Sequence, residues 1–271
     1  MLTHSDFEFA AGSVIGREHR DVIKNCQDGF TVVQGDLCTV AIVADGCGSG
    51  AHSEVGAQLG VRLLATSICN EVRHRRSYDL NWERIRMDVL SQLSVLTRSM
   101  GGDYRETVNS HFLFTVVGAL LAYDAAIFFA IGDGVIMVNN ELIPGLGPFP
   151  GNKPPYLGYG LLPGNVDLAP DDLEFQIVAQ CPLDDLESFL IGSDGVLDLR
   201  RVSQKCMPGI SKQVGGIEQF WTDDRYFDNE ELVNRQLKLI GRDWPRRNPQ
   251  LGLLPDDTAL VAGRRHQQPS P

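Results

Sequence analysis

Hydrophobic positions along this chain change period several times, and the changes divide it into elements. Phe7, Phe9 and Val14, with small residues between them, predict a strand over 7–15. Polar turns follow at 16–21 and 25–29. A strand at 30–33 and its continuation at 37–44 then form a hairpin around Gln34, Gly35 and Asp36. After Gly50 the apolar positions recur every three or four residues, at Val55, Leu59, Leu63, Leu64, Ile68 and Val72, which predicts a helix over 53–74. A second helix starts at Asn81 or Trp82 and runs to Met100 through Ile85, Val89, Leu93 and Leu96, where Gly101 and Gly102 end it. From His111 the strand period returns, over 111–122, 125–131 and 135–139, with tight turns at Asp124 and at Asp133-Gly134.

Residues 144–170 hold Pro144, Pro148, Pro150, Pro154, Pro155, Pro163 and Pro170, and predict a long irregular loop with Tyr156, Tyr159, Leu161 and Leu162 as anchors. Strands resume at 173–179 and 187–191. Residues 200–226 give no clear period, 229–242 read as a helix, 258–262 as a strand and 264–271 as a frayed tail. No internal repeat or linker divides the chain, so a single domain over 1–271 is expected. Strands in runs and helices in pairs, rather than strict alternation, predict an α+β fold of antiparallel sheets with helices outside.

Composition narrows the function classes. With 43% hydrophobic residues, the 271-residue chain can bury a sizeable core, and its N-terminus lacks a signal-peptide layout. No run reaches the length of a membrane span, so a cytoplasmic location is expected. The net charge of −11 argues against a nucleic-acid partner. The basic run 73–76 reads as a solvated helix end, where cations suit the helix dipole. Six scattered cysteines form no Cys-x-x-Cys pair and read as reduced thiols.

The candidate chemistry lies where apolar strands stop. Ala41 to Ala44 ends in Asp45-Gly46-Cys47-Gly48-Ser49-Gly50; Phe128 to Ile131 ends in Gly132-Asp133-Gly134; Phe189 to Ile191 ends in Gly192-Ser193-Asp194-Gly195. Asp256-Asp257 stands just before the apolar run from Ala259 to Ala262. A lone Asp-Gly is a common turn. Several at strand ends suggest carboxylates converging at one rim, which repel unless hard cations lie between them.

These motifs, with Asn25-Cys26-Gln27-Asp28 and Asp198, come in the order found in the metal-dependent protein phosphatases of the 2C type. The chain resembles compact bacterial members of that family from residue 13 to 262. The resemblance implies a four-layer αββα sandwich of two packed antiparallel sheets. It also implies hydrolysis of phosphoserine and phosphothreonine in proteins by a hydroxide bridging two divalent ions, Mn²⁺ or Mg²⁺. Asp45 would bridge the ions and Gly46 would offer its carbonyl. Asp194 and Asp256 would hold the second ion, with Asp256 favoured over Asp257. Asp28 would orient the metal-bound water. Asp133 would hold a third ion, with a simple hairpin turn as its other reading. A phosphorylated protein substrate and a cognate Ser/Thr kinase are the implied partners, and signalling the implied role.

The sequence also departs from the family. Gln27 stands where Glu is frequent, Cys47 where a His is frequent in eukaryotic members, and Gly134 and Val135 where Ser and Arg are common. Arg20, near Arg17, is the candidate phosphate ligand, and His19 and His52 are candidate proton donors. The departures leave a second reading open, a catalytically weak phosphatase-like module that binds a kinase or phosphoprotein.

Overall fold

The computed structural model describes every residue except 1, 148, 163, 165–167, 169, 246–248 and 267–271. Five strands make each of two antiparallel sheets. The first contains β1 (Phe7–Val14), β10 (Thr258–Arg265), β9 (Ser188–Gly192), β6 (Val135–Val138) and β7 (Glu141–Leu142), in that order. The second runs β2 (Gly29–Gln34), β3 (Cys38–Ala44), β4 (Val116–Ala122), β5 (Ala125–Ile131) and β8 (Gln176–Pro182). Strands β3, β4 and β5 are buried at every position, which explains their nearly continuous apolar sequence, with Thr39 the polar exception.

The two-residue period assigns their side chains to different layers. Ala41, Val43, Val117, Ala119, Phe128, Phe189, Ile191 and Val261 fill the space between the sheets. Their sequence neighbours Val40, Ile42, Leu120, Ile127 and Phe129 face helices α2 (Ser53–Arg75) and α3 (Trp82–Met100). On the opposite outer face Leu190, Leu260 and Ala262 pack against α5 (Gly195–Val202) and α8 (Leu232–Gly241). The layers are therefore helix, sheet, sheet, helix, as the resemblance implied.

Several elements differ from the sequence reading for identifiable reasons. The first half of α2 buries Gly56, Ala57, Gly60, Val61 and Leu64 rather than Val55 and Leu59. Small residues let this helix lie close to the sheet, so the larger apolar side chains mark its flank. A further helix, α4 (Tyr104–His111), fills the stretch just before the strand expected from His111, and that strand begins only at Val116. Asp103 caps it, accepting from Glu106 N at 2.8 Å, a signal visible in the Asp103-x-x-Glu106 spacing. The polar turn after β1 is the short helix α1 (Arg17–Asp21). The unassigned stretch before residue 226 holds α6 (Gln219–Thr222) and the start of α7 (Arg225–Asp228).

Among the described residues of the proline-rich segment, three short 3-10 turns occur, at Pro150–Asn152, Leu157–Leu161 and Pro170–Leu173. The expected anchors hold it. Leu161 and Leu162 are buried, and Tyr156 and Tyr159 pack on the same core with ring centroids 5.4 Å apart. Pro148 and Pro163 lie outside the described residues. Strand β10 continues to Arg265, beyond the predicted end at 262, because Arg264 is buried and bonds Glu8 at 2.6 Å.

Candidate metal centre

Antiparallel pairing decides where the acidic turns meet. In the second sheet, the end of β3, the start of β2 and the end of β5 lie on one rim, because β2 pairs with β3, and β4 with both β3 and β5. In the first sheet the end of β9, the starts of β10 and β6 and the end of β1 share a rim likewise. Asp45 follows β3, Asp28 precedes β2, Asp194 follows β9 and Asp256-Asp257 precede β10. Asp133 sits between β5 and β6, which belong to different sheets. Its turn therefore crosses the sandwich, and the hairpin reading of Asp133 is corrected.

The carboxylates feel one another. Burial pushes Asp45 well above the usual carboxylate range, and the charges of Asp28, Asp194, Asp256 and Asp133 push it further. Asp28 is raised by burial first, then by Asp257. Asp194 is raised to about 6, by burial and then by Asp256 and Asp133, and it lies within hydrogen-bonding reach of Asp45. Asp194 also caps α5, where the helix dipole favours a negative charge by about 0.3–1 kcal/mol. Burial and the neighbouring carboxylates set the upward direction of its shift. Asp133 is raised by burial, and Asp256 by partial enclosure and then by Asp257. Asp133, Asp194, Asp256, Asp198 and Arg201 line one cavity of about 280 Å³.

The adjacent residues Asp256 and Asp257 have opposite roles. Asp257 is 3% exposed and its carboxylate is fully engaged. One oxygen accepts from Gly16 N at 2.6 Å; the other accepts from Gln27 N at 2.5 Å and bonds His19 Nδ1 at 2.9 Å. It ties the first motif to the last. Gly16 is needed for that approach, since a Cβ there would lie 2.2 Å from the Asp256 carbonyl carbon. His19, Asp256 and Asp257 lie close enough to suggest a cation cluster. However, His19 and Asp257 satisfy each other, which leaves Asp256 as the less engaged carboxylate, with Oδ1 accepting from Asp257 N at 2.8 Å.

Hard divalent cations fit the remaining donors. Asp28 Oδ1 and Asp194 Oδ1 are buried and have no hydrogen-bond partner. Asp28 Oδ2 accepts from Ser193 Oγ at 2.6 Å, which joins the first and third motifs. Gly46 forms a bridge with Phe114 through flanking groups, Cys47 N to Leu113 O and Thr115 N to Asp45 O, so the bridge does not consume its carbonyl. A side chain at Gly46 would meet Gln27 O at 2.7 Å.

The departures from the family acquire structural causes. Gln27 is 1% exposed and donates from Nε2 to Gly50 O at 3.0 Å, a bond that Glu at this position could not make when ionised. Lys24 Nζ bonds Gly48 O at 2.5 Å and Gly50 O at 3.2 Å, so the glycine loop is held from two sides. The Cys47 thiol meets the Ser49 hydroxyl at 3.1 Å.

Arg20 does not join this site. Its guanidinium donates to Gly241 O at 3.0 Å and to Asp243 at 3.3 Å, at the end of α8. Arg17 donates to Gly252 O at 3.0 Å. His52 is exposed and stacks on His111, with ring centroids 5.0 Å apart. The expected phosphate ligand is therefore corrected: α8 lies across that side of α1 and takes the arginine. Arg201, bonded to Asp198 at 2.9 Å, is the cation that borders the acidic cavity. Sequence reasoning missed it, although Asp194, Asp198 and Arg201 recur at the spacing of one helix face.

Residues 15–145 match the model of the family described as protein phosphatase 2C. A search of curated proteins gives no match. Among solved structures, the catalytic domain of the serine/threonine protein phosphatase PstP, in complex with two manganese ions, is similar. It has 16% identity and a TM-score of 0.51, over 95% of this chain and 97% of that one. A bacterial serine phosphatase variant matches at 14% identity and TM-score 0.50, over 96% and 99%. A C. elegans sex-determining protein matches at 14% and 0.53, over 96% of this chain and 65% of that one. At these identities the likeness carries the fold. The sequence match over residues 15–145, together with the two-sheet architecture, makes the chain similar to the 2C-type protein phosphatases.

Proposed function

We propose that this protein is a metal-dependent phosphatase acting on phosphoserine and phosphothreonine in proteins, with residues 1–271 forming a single catalytic domain. The observation that carries the reading is the rim of carboxylates, two of whose buried oxygens are unpartnered. Asp45, Asp194 and Asp256, with the Gly46 carbonyl, would hold two Mn²⁺ or Mg²⁺ ions, and Asp133 a third. Bound there, the ions supply a nucleophilic hydroxide at neutral pH and neutralise phosphoryl oxygens. This resolves how a chain of net charge −11 accepts an anionic substrate.

The protein's own groups do the rest. Asp28, fixed by Ser193, orients the attacking water through its open oxygen. Arg201 reaches the phosphoryl group from the cavity wall. His19, with Nδ1 fixed by Asp257, presents Nε2 toward Gly48 and can give a proton to the leaving alkoxide. A phosphorylated protein, with a cognate kinase opposing the reaction, is the implied partner. Among the described residues no helix is long and apolar enough to cross a membrane.

The second reading, a module that binds phosphoproteins without turnover, draws on Gln27 and Cys47. The structure gives Gln27 a loop-holding bond instead, and every acidic ligand position is kept. The deciding experiment is hydrolysis of p-nitrophenyl phosphate and a phosphothreonine peptide with Mn²⁺. Turnover should require the ion and fall at least about a hundredfold in Asp45→Asn. Tight peptide binding with no turnover would favour the module, and turnover indifferent to chelation would remove the metal mechanism.

A further inference from the structure

At the other end of β3, away from Asp45, Cys38 faces Cys69 of α2, and their sulfurs are 3.6 Å apart. Both are free thiols. The distance is that of a weak thiol–thiol hydrogen bond, roughly 1.5 Å longer than a disulfide bond. The two residues are 31 apart in sequence and lie on different layers. Cys38 is 2% exposed, at the first position of β3, whereas Cys69 is half-buried and so open to a small oxidant. Arg73 follows Cys69 by one helical turn. The Cys69 thiol is lowered, first by the hydrogen bond from Cys38 and also by Arg73, while that same bond raises Cys38. One thiol is thus set up as the attacking group and the other as its resolving partner.

We propose that Cys38 and Cys69 are an oxidisable pair that peroxide converts to a disulfide, clipping β3 to α2. The Cys69 thiolate attacks a peroxide oxygen, the O–O bond breaks, and Cys69 becomes a sulfenic acid with release of hydroxide. The Cys38 sulfur then attacks the sulfenic sulfur, the S–O bond breaks, and water leaves with the Cys38 proton. Two thiols are oxidised to one disulfide and one hydrogen peroxide is reduced to two waters. The bond closes a loop containing Asp45, Gly46 and the whole glycine turn. Seven strand steps of about 3.3 Å still separate the sulfur pair from the carboxylate rim. The clip therefore braces the elements that carry Asp45 without touching the site, and a thiol reductant reverses it.

The test is peptide mapping under non-reducing conditions after graded hydrogen peroxide, on the intact chain, with free thiols alkylated first. The expected product is a cross-linked peptide containing Cys38 and Cys69, two hydrogens lighter than the sum of its parts and lost on reduction. In Cys38→Ser the cross-link disappears and Cys69 is trapped by dimedone as the sulfenic acid. Two results overturn the proposal: both thiols stay alkylatable while exposed Cys206 is oxidised, or Cys69 passes to the sulfinic acid with Cys38 unchanged. The readout is mass, so it stands or falls separately from phosphatase turnover.

Discussion

The space between the two sheets and the rim at their ends are built from the same strands and obey opposite rules. Between the sheets, Val43, Phe128, Ile191 and Val261 leave nothing polar to satisfy. Two to five residues further on, Asp45, Asp133 and Asp194 are crowded together, half-buried and mutually repelling. Burial stabilises the first region and penalises the second. The interior can support a destabilised rim because the two share strands but not side chains. Substitutions in the two regions should therefore move different observables.

The sharpest contrast pairs Phe128→Ala with Asp194→Asn. Phe128 is fully buried and packs its ring edge-on against Phe189, with centroids 5.5 Å apart. Its truncation should cost about 3–5 kcal/mol of unfolding free energy, with turnover per folded molecule retained. Asp194→Asn should do the reverse: the metal-free protein holds or gains stability, because a repelling charge is gone, and the stabilisation by Mn²⁺ is lost. Denaturant melts with and without Mn²⁺ measure both. A large loss of metal-free stability in Asp194→Asn would break the comparison, since it would make the rim part of the framework.

Acidity sharpens it next. The rim carboxylates titrate above their unfolded value near 3.8, and Asp194 at about 6. The folded metal-free protein therefore binds more protons than the unfolded chain between those limits. Its stability contribution from the rim is full below the unfolded value and declines as pH rises through about 6. Ions need the ionised rim, so the thermal shift produced by Mn²⁺ should run the other way, small at pH 5 and larger at pH 7.5. A shift independent of pH would mean that the ions bind elsewhere.

How much was legible follows the same division. The interior was readable because β3, β4 and β5 are nearly continuous apolar runs, with Thr39 the polar exception. The acidic turns were readable because Asp and Gly interrupt those runs. Arg20 was misread because proximity in sequence to Asp28 says nothing about α8, whose end accepts both its bonds. Asp257's framework role was hidden because its partners, Gly16, His19 and Gln27, lie more than 200 residues away. Helix α4 was lost because its eight residues are mostly polar, so only its cap advertised it.

Arg201 marks the boundary between the two regions and gives the smallest expected effect. It stands on α5, whose inner face, Val196, Leu199 and Val202, belongs to the apolar core, while its outer face carries Asp198 and Arg201 into the cavity. The side chain is 73% exposed and already shares its charge with Asp198, 19% exposed. A phosphoryl group must compete with that carboxylate and with water, so the contact is worth about 0.2–1 kcal/mol, in the range of exposed ion pairs. Arg201→Ala should accordingly raise KM for a phosphopeptide about two- to fivefold, leaving kcat and the melting temperature nearly unchanged. Arg20→Ala, by contrast, removes bonds to α8 and should lower the melting temperature without moving KM. If Arg20→Ala raises KM and Arg201→Ala does not, the phosphate is held from the α1 side, and the cavity wall at α5 is only a neighbour of the site.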